Sequence, residues 1–337
     1  MIISRTPFRV SLFGGGTDYP AYFKEHGGQV LGGSINKYCY ISARYLPPHF
    51  THKSRIVYSK EEWVNNNADI EHPAVRECLR YLGIFRGVEI CHQSDMLARR
   101  GMGSSSAFTV GLLHALRAFT DDYIGKDRLA QQAIIVEQDW IKENVGCQDQ
   151  YLCAMGGLNH VAFSPNGSVQ VSPIANAPWL EPYLMLFGTN TTRIASDIAK
   201  TQIAQIPQKQ KELREMYAMV DEAIKLVKDG KAEELGLLLH QNWQLKKTLS
   251  DKITLPELDA IYEEAMKAGA WGGKLLGAGG GGHMLFVVAP EKQGEVAKAL
   301  AGLRLVPFRF EYSGSQIIFK DDETKEKTGW GEERHSG

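Results

Sequence analysis

Residues 101–107 of the chain, with the sequence GMGSSSA, combine glycines with three consecutive hydroxyls and lead into a strongly apolar stretch. Glycines let a backbone approach a ligand closely, and the first turn of a helix offers unpaired N–H donors and a positive dipole end. Serine hydroxyls add further donors, or ligands for Mg²⁺. The segment therefore predicts a cradle for phosphate groups; the alternative is a loop that only caps a core helix. The backbone N–H groups that would face the phosphates belong to Gly101, Met102, Gly103, Ser104, Ser105 and Ser106.

This segment differs from two widespread phosphate loops. It lacks the G-K-[ST] ending of a Walker A loop, and Ser106 stands where G-x-G-x-x-G requires its last glycine. Residues 277–282, GAGGGG, do match G-x-G-x-x-G. A dinucleotide-binding loop must open a helix, however, and residues 284–288 read as a strand. We therefore expect a tight crossing of backbones there, or a loop that lies against a substrate.

A third glycine-rich segment, GGGTDYP over residues 14–20, follows the buried strand predicted over residues 9–13. Thr17 and Asp18 present a hydroxyl and a carboxylate on a glycine turn, a combination suited to hydrogen-bonding sugar hydroxyls. The alternative is a turn in which Asp18 accepts only from nearby backbone N–H groups.

Composition excludes several classes of partner. The 337 residues carry a formal net charge of −1, which gives no general electrostatic reason to bind nucleic acid or an anionic membrane. The five cysteines form no CxxC pair, which favours a reducing compartment over a secreted disulfide framework. The N-terminal residues fit neither a signal peptide nor an anchor, and no apolar run approaches the ~18 residues of a spanning helix. We expect a cytoplasmic protein with small-molecule partners.

The pattern of apolar residues predicts a mixed first half and a helical second half. A composition shift near residue 180 marks the expected boundary between the two halves. Asp127 is the expected N-cap of the helix over residues 127–143. The predicted helices are 72–82, 107–119, 127–143 and several across 195–268, separated at Pro207, Gly230 and Pro256; the predicted strands are 9–13, 30–45, 88–92, 158–163, 169–171, 183–187 and 284–288.

In this order, the three glycine-rich segments resemble the motifs of the GHMP kinases, the superfamily of galactokinase, homoserine kinase, mevalonate kinase and phosphomevalonate kinase. The likeness covers nearly the whole chain apart from residues 321–337. Residues 5–19 resemble the first motif, residues 101–107 the phosphate loop, and residues 274–282 the third motif, which lines the active site. The resemblance implies an ATP-dependent kinase.

The resemblance also implies an α+β fold in which ATP and sugar occupy a cleft between two domains. The N-terminal domain, residues 1–180, would resemble domain 2 of ribosomal protein S5. The C-terminal domain, residues 181–320, would be ferredoxin-like. Residues 321–337 are charged and poor in apolar residues, which predicts a mobile tail.

Catalytic roles come from the same resemblance. In galactokinase-like members a helical glutamate binds Mg²⁺, and an aspartate twelve residues later faces the substrate hydroxyl; Glu137 and Asp149 have this spacing. Asp149 would orient or deprotonate the anomeric hydroxyl, with Arg9 beside it, and Ser106 (or Ser105) would join Glu137 on Mg²⁺. The alternatives are a solvated helix glutamate, a loop carboxylate and an arginine in a buried ion pair.

Within the superfamily the chain resembles the D-glycero-D-manno-heptose 7-phosphate kinases, through residues 14–44 and supporting segments 143–150 and 191–195. A substrate with a second phosphate requires a cationic pocket far from the reacting carbon. The candidates for that pocket are Arg193, which is preferred, and Lys37, Lys274 and His26. The expected substrate-binding residues are Gly16, Thr17, Asp18, Arg193, Lys37, Gly279 and Gly280.

Other functions remain open at this point. A kinase for a neutral hexose would need no such pocket, and some members of the superfamily bind sugars as regulators without catalysis. The presence of Arg9, Glu137 and Asp149 argues against the regulator. The hypothesis of an NAD-dependent oxidoreductase rests only on residues 277–282. The hypothesis of a metal hydrolase rests only on an HxxH pair in a proline-flanked loop. The sequence leaves the oligomeric state open, a homo-oligomer included.

Overall fold

The structure, a computed structural model, describes residues 1–47, 49–97, 100–175, 177–191 and 195–321. These residues form two sheets and ten α-helices. No helix among them combines the length and apolar composition needed to cross a membrane. The helices are α1 Pro20–His26, α2 Pro73–Tyr81, α3 Ser104–Phe119, α4 Lys126–Ile135, α5 Gln148–Met155, α6 Ala195–Gln205, α7 Gln210–Lys228, α8 Ala232–Thr248, α9 Pro256–Lys267 and α10 Gln293–Ala299.

The strands divide between an N-terminal and a C-terminal sheet. In chain order they are β1 Ile2–Phe13, β2 Gly28–Tyr45, β3 Ser54–Val57, β4 Glu61–Val64, β5 Val88–Ser94, β6 Leu158–Phe163, β7 Val169–Pro173, β8 Leu184–Gly188, β9 Ala270–Leu275, β10 His283–Val288, β11 Arg304–Leu305 and β12 Gln316–Lys320. The N-terminal sheet has the order β12-β1-β2-β5-β3-β4, and β6 and β7 continue it beside the first part of β2. The C-terminal sheet has the order β11-β8-β10-β9 and is antiparallel throughout.

The C-terminal sheet confirms the ferredoxin-like prediction. Its strands follow one another as strand, helices, two strands, helix, strand, which is the βαββαβ arrangement. Helix α8 packs on β9 and β10. The α+β fold of the whole chain follows from the two sheets and the helices that cover them.

Helix α3 is the centre of the N-terminal core, because it is apolar on nearly every face and packs on β1, β2 and α5. Gly111 lets it approach the sheet, since a Cβ there would come within 2.8 Å of the Thr6 hydroxyl oxygen. The first turn of this helix is thereby held in place by its own core contacts.

Several predicted boundaries were wrong. The helix expected over residues 127–143 is α4 followed by a π-helical stretch, Val136–Trp140, and its N-cap is Gly125, with Asp127 in the first turn. Strand β9 is absent from the predicted strands. Its glycines are there for packing: a Cβ on Gly272 would lie 1.9 Å from the Gly236 carbonyl oxygen of α8.

The expected second domain, residues 181–320, also needs correction. Strand β12 pairs with β1, Ile2 opposite Lys320, and so belongs to the N-terminal sheet. The ferredoxin-like unit therefore ends with β11. The strand expected over residues 183–187 is β8, the first strand of that unit. Residues 322–337 of the predicted tail lie outside the described residues.

Two half-buried histidines predict that the protein loses stability in mild acid. Burial lowers the pKa values of His92 and His114 to about 4, with His72 and Lys126 respectively acting in the same direction. Because the folded state has the lower pKa, the unfolded chain takes up protons first, and the free energy of unfolding falls as pH drops from about 6.5 to 4. We expect a loss of about 1–3 kcal/mol between pH 7.5 and 5, after allowance for partial exposure. Urea unfolding followed by circular dichroism at the two pH values measures it.

His114→Gln provides the control for this prediction. Glutamine keeps a hydrogen-bonding group near the Ser315 hydroxyl, which lies 2.9 Å from Nδ1 of His114, but takes up no proton in this range. The loss of stability between pH 7.5 and 5 should be smaller in this variant. An equal loss in both proteins would remove His114 from the explanation.

Candidate active site

A cavity of about 160 Å³ opens between the N-terminal sheet and the helices of the C-terminal half. It is lined by β1, the turn after it, the start of α3, the segment leading into α5, and by α6 and α8. Of the residues selected from the sequence, the cavity brings together Arg9, Gly16, Asp18, Gly101, Gly103, Ser104, Ser105, Ser106 and Asp149.

A buried ion pair crosses the floor of the cavity. Arg9 Nε donates to Asp149 Oδ1 at 2.8 Å and Nη2 donates to Oδ2 at 2.6 Å, a bidentate contact. The third nitrogen, Nη1, donates to the Gly101 carbonyl oxygen at 2.6 Å. The Arg9 side chain is 4% exposed and that of Asp149 is 24% exposed, so the carboxylate is the member that faces the cavity.

The loop before α3 has the conformation that its glycines predict. Gly101 and Gly103 have φ values of 74° and 70°, and Gly103 is the N-cap of α3. A Cβ on Gly103 would come within 3.0 Å of Arg9 Cγ, so the loop can lie against Arg9 only because this residue is glycine. The Met102 side chain belongs to the core, while its carbonyl oxygen accepts from the Arg9 backbone N–H at 3.1 Å. The positive end of α3 therefore faces the cavity.

Glu137 lies behind this loop, in the π-helical stretch, and is fully buried. Its Oε2 accepts from Ser106 Oγ at 3.0 Å and from Gln150 Nε2, whereas its Oε1 is a buried oxygen without a hydrogen-bond partner among the described residues. Burial raises the pKa of Glu137 to about 7. An unpartnered carboxylate oxygen beside a serine hydroxyl suits a hard cation.

The turn after β1 contains one residue with a structural role, Thr17, and one that faces the cavity, Asp18. Thr17 Oγ1 donates to the Gly14 or Gln29 carbonyl oxygen, 2.8 Å from each, is fully buried and does not line the cavity. Asp18 does line it, but its oxygens also accept from the backbone N–H groups of Gly16 and Gln148. Burial raises the pKa of Asp18. The turn thus places one carboxylate at the wall of the cavity.

The third glycine segment is mainly a crossing of backbones. Gly277 lies against the phosphate loop, since a Cβ on it would be 2.6 Å from Gly101 Cα. Gly279 and Gly280 instead face Ile253, whose carbonyl oxygen accepts from the Gly280 N–H at 2.8 Å. Neither is a cavity-lining residue among those described; Gly277 and Ala278 are.

Three of the four cationic candidates, Lys37, Lys274 and His26, do not line the cavity. Lys37 lies in β2 between residues that bond to Arg309 and Asp95, away from the described cavity wall. Lys274 is buried in β9, where Nζ donates to the Leu12 carbonyl oxygen at 2.9 Å. The His26 ring is 3.6 Å from Glu25, and Arg193 lies outside the described residues.

Lys246 lines the cavity and was missed from the sequence. It lies on α8 and is 4% exposed, and its Nζ donates to the Gly277 carbonyl oxygen at 2.6 Å. A signal was present, because Lys246 continues the stripe of buried positions on α8, among them Leu235, Leu239 and Trp243. A lysine at a core-facing helical position is unusual and points to a local anionic partner or ligand.

Comparison with known proteins gives the family. Residues 70–157 match the family model of the GHMP kinases N terminal domain, and residues 210–304 match that of the GHMP kinases C terminal domain. The chain is 30% identical over 318 residues to the D-glycero-alpha-D-manno-heptose 7-phosphate kinase of Campylobacter jejuni, covering 89% of this chain and 93% of that protein.

Solved structures agree on the fold. A D-glycero-D-manno-heptose 1-phosphate kinase from Bacteroides thetaiotaomicron superposes with a TM-score of 0.76 at 23% identity, covering 95% of this chain and all of that one. Lactococcus lactis galactokinase in complex with galactose gives a TM-score of 0.73 at 19% identity, covering 94% of each chain. The two matched domains and the Campylobacter jejuni relative show that the chain belongs to the GHMP kinase family and is an ATP-dependent sugar kinase.

Proposed function

We propose that this kinase transfers the γ-phosphate of ATP to the anomeric C1 hydroxyl of a sugar phosphate, D-glycero-D-manno-heptose 7-phosphate, to give the 1,7-bisphosphate. The observation that carries the reaction is the Asp149 carboxylate, held by Arg9 at the cavity floor beside the start of α3. The sugar is suggested by the name of the Campylobacter jejuni relative and by the resemblance over residues 14–44.

In this proposal the backbone N–H groups of residues 101–106 bind the ATP phosphates at the positive end of α3. Phosphoryl transfer needs positioning and charge neutralisation more than covalent help from the protein. Asp149 accepts a hydrogen bond from the C1 hydroxyl and takes its proton as the oxygen attacks the γ-phosphorus. The bond from that phosphorus to the bridging oxygen of ADP breaks. Arg9 holds Asp149 in place through the bidentate ion pair.

Mg²⁺ fits the residues behind the loop. Glu137 Oε1 has no hydrogen-bond partner in the part of the chain that the structure describes, and Ser106 Oγ lies 3.0 Å from Oε2. These two side chains would hold the ion, with Ser105 as the alternative hydroxyl. No group of three His, Cys, Asp or Glu side chains suited to a metal occurs in the described residues. The remaining ligands would come from water and nucleotide phosphates, as is usual for Mg²⁺. When bound, Mg²⁺ offsets negative charge on the phosphates.

The sugar would lie between Asp149 and the turn after β1, with Asp18 and Gly16 toward its hydroxyls. Thr17 would contribute indirectly, by holding that turn through the Gly14 and Gln29 carbonyl oxygens. Arg193 remains our candidate for the distal phosphate. It is close in sequence to α6, whose Ala199 and Gln202 line the cavity.

The first experiment measures ADP release with Mg·ATP and a panel of sugars: D-glycero-D-manno-heptose 7-phosphate, sedoheptulose 7-phosphate, mannose, galactose and fucose. We expect the manno-heptose phosphate to give the highest kcat/KM, with the new phosphate on C1 by phosphorus NMR. A neutral hexose as the best substrate would contradict the sugar-phosphate assignment and leave the kinase. Binding of ATP with no turnover on any sugar would favour a sugar-binding regulator.

Asp149→Asn should lower kcat by about 10²- to 10⁴-fold while ATP still binds, because a general base of this kind contributes that much. The change leaves the Arg9 charge without its partner, so the fold is checked first by circular dichroism and thermal unfolding. ATP affinity is measured by calorimetry. Asp127→Asn is the matched control, an exposed aspartate in the first turn of α4. Near-normal turnover in Asp149→Asn would contradict the role as a base.

Glu137→Gln tests the metal site without relying on activity. The folded pKa of Glu137 is raised, so its stabilising contribution is present below about pH 4.5 and is lost as pH rises through about 7. In EDTA, the stability of Glu137→Gln relative to wild type should therefore increase by about 2–3 kcal/mol from pH 5 to 8.

Mg·ATP should then raise the Tm of wild type more than that of Glu137→Gln at pH 8. Glu222→Gln, on an exposed face of α7, is the control and should behave as wild type in both measurements. Equal stabilisation of Glu137→Gln and wild type by Mg·ATP would contradict metal binding by Glu137.

A further inference from the structure

Lys246 is a buried cation in the wall of the cavity, on helix α8. It is 4% exposed, and Nζ donates to the Gly277 carbonyl oxygen at 2.6 Å, with the Leu275 carbonyl oxygen at 3.5 Å. Among the cavity-lining residues that the structure describes, one is an arginine, Arg9, and one is a lysine, Lys246.

The two cations differ in what neutralises them. Arg9 forms a bidentate ion pair with Asp149, whereas Lys246 has no carboxylate within 4.0 Å in the described part of the chain. Its hydrogen bonds go to carbonyl oxygens, which carry only partial charge. A buried ammonium without a counter-ion is costly, and a bound anion would remove much of that cost.

The backbone crossing brings Lys246 to the phosphate loop. Gly277, which accepts from Lys246, packs directly on Gly101, where a Cβ would lie 2.4 Å from the Leu276 carbonyl oxygen. Arg9 Nη1 donates to the Gly101 carbonyl oxygen. Arg9 and Lys246 therefore bind to two backbone segments that cross each other, at Gly101 and Gly277 respectively. Arg9 belongs to the N-terminal half of the molecule and Lys246 to the C-terminal half.

We propose that Lys246 is a further catalytic residue, whose ammonium binds the transferring phosphoryl group beside the phosphate loop. This proposal rests on the proposed phosphoryl transfer but not on the identity of the sugar. The positive charge stabilises the negative charge on the transferred oxygens, and the Gly277 carbonyl oxygen fixes its position. Preorganised cations of this kind favour the transition state of phosphoryl transfer.

The charges around Lys246 define a test by pH. Burial lowers its pKa to about 8, and the Arg9 charge acts in the same direction, against Asp18 and Asp149. Lys274, the other buried lysine nearby, lies on β9 and bonds to Leu12. Lys246 is thus protonated at neutral pH and loses its charge in mildly alkaline solution, whereas an arginine in its place would not.

The experiment compares wild type, Lys246→Arg, Lys246→Met and Lys247→Met, using kcat/KM for Mg·ATP from pH 6.5 to 10 with the best sugar of the panel. This parameter reports groups of the free enzyme. In wild type it should fall above about pH 8, and in Lys246→Arg that fall should move up by more than one pH unit. Lys246→Met should lose about 100-fold at pH 7. Lys247, the next residue on α8, pairs with Asp259 outside the cavity, and its variant should follow wild type.

Each outcome decides between the claims. If kcat/KM falls at the same alkaline pH in wild type and Lys246→Arg, the role of Lys246 is overturned. It is also overturned if Lys246→Met has a lowered Tm but an activity within threefold of wild type, because the proposal expects a loss of about 100-fold. If Lys246→Met does not fold, the comparison of wild type with Lys246→Arg still decides. Failure of wild type to phosphorylate any sugar would instead contradict the proposed phosphoryl transfer.

Discussion

The ion pair between Arg9 and Asp149 is the interaction on which the arrangement of the site depends. It joins β1 to α5, and the remaining nitrogen of Arg9 ties both to the Gly101 carbonyl oxygen. A buried pair gains little net stability because desolvation offsets the attraction, but losing one partner leaves a buried charge and costs about 3–5 kcal/mol. The pair therefore acts as a constraint on position. It fixes the carboxylate relative to the loop that opens α3.

Several groups in the site lower the folding stability of the protein when no ligand is bound. Within residues 1–47, 49–97, 100–175, 177–191 and 195–321, Glu137 has a buried oxygen without a hydrogen-bond partner and Lys246 has hydrogen bonds only to carbonyl oxygens. Burial disfavours the charged forms of Asp18, Glu137 and Lys246 alike. Such groups are costly in an empty cavity and favourable around a polyanion with its cation. The apolar helix α3 and the two sheets must provide the compensating stability, which is consistent with the position of the loop at the start of a largely buried helix.

Residue types and spacing singled out the residues of the candidate site that belong to short segments. Glycine positions indicated residues 101–106 and Asp18, and the family resemblance indicated Glu137 and Asp149 by the twelve residues between them; the roles of these residues stay predictions. Lys246 was not singled out, since its place in the cavity depends on how α8 packs on β9 and on the carbonyl oxygen of Gly277, far away in sequence. Thr17 was misassigned because a buried hydroxyl bonded to backbone has the same sequence signature as one that binds a sugar. In the fold, β9 could not be predicted because it contains the glycines that the packing of α8 requires. The pairing of β12 with β1 could not be predicted because the two strands are far apart in sequence.

That distance has a consequence for how the protein is made. Residues 2–5 pair with residues 316–320, so one edge of the N-terminal sheet stays uncovered until nearly all of the described chain has left the ribosome. The contacts that complete this sheet are among the longest-range in the molecule, and such closures are slow. During that interval β1 exposes a row of unpaired backbone groups, which is the kind of edge that recruits other chains. The topology of the N-terminal sheet therefore leaves the edge of β1 unpaired during most of the synthesis of this kinase.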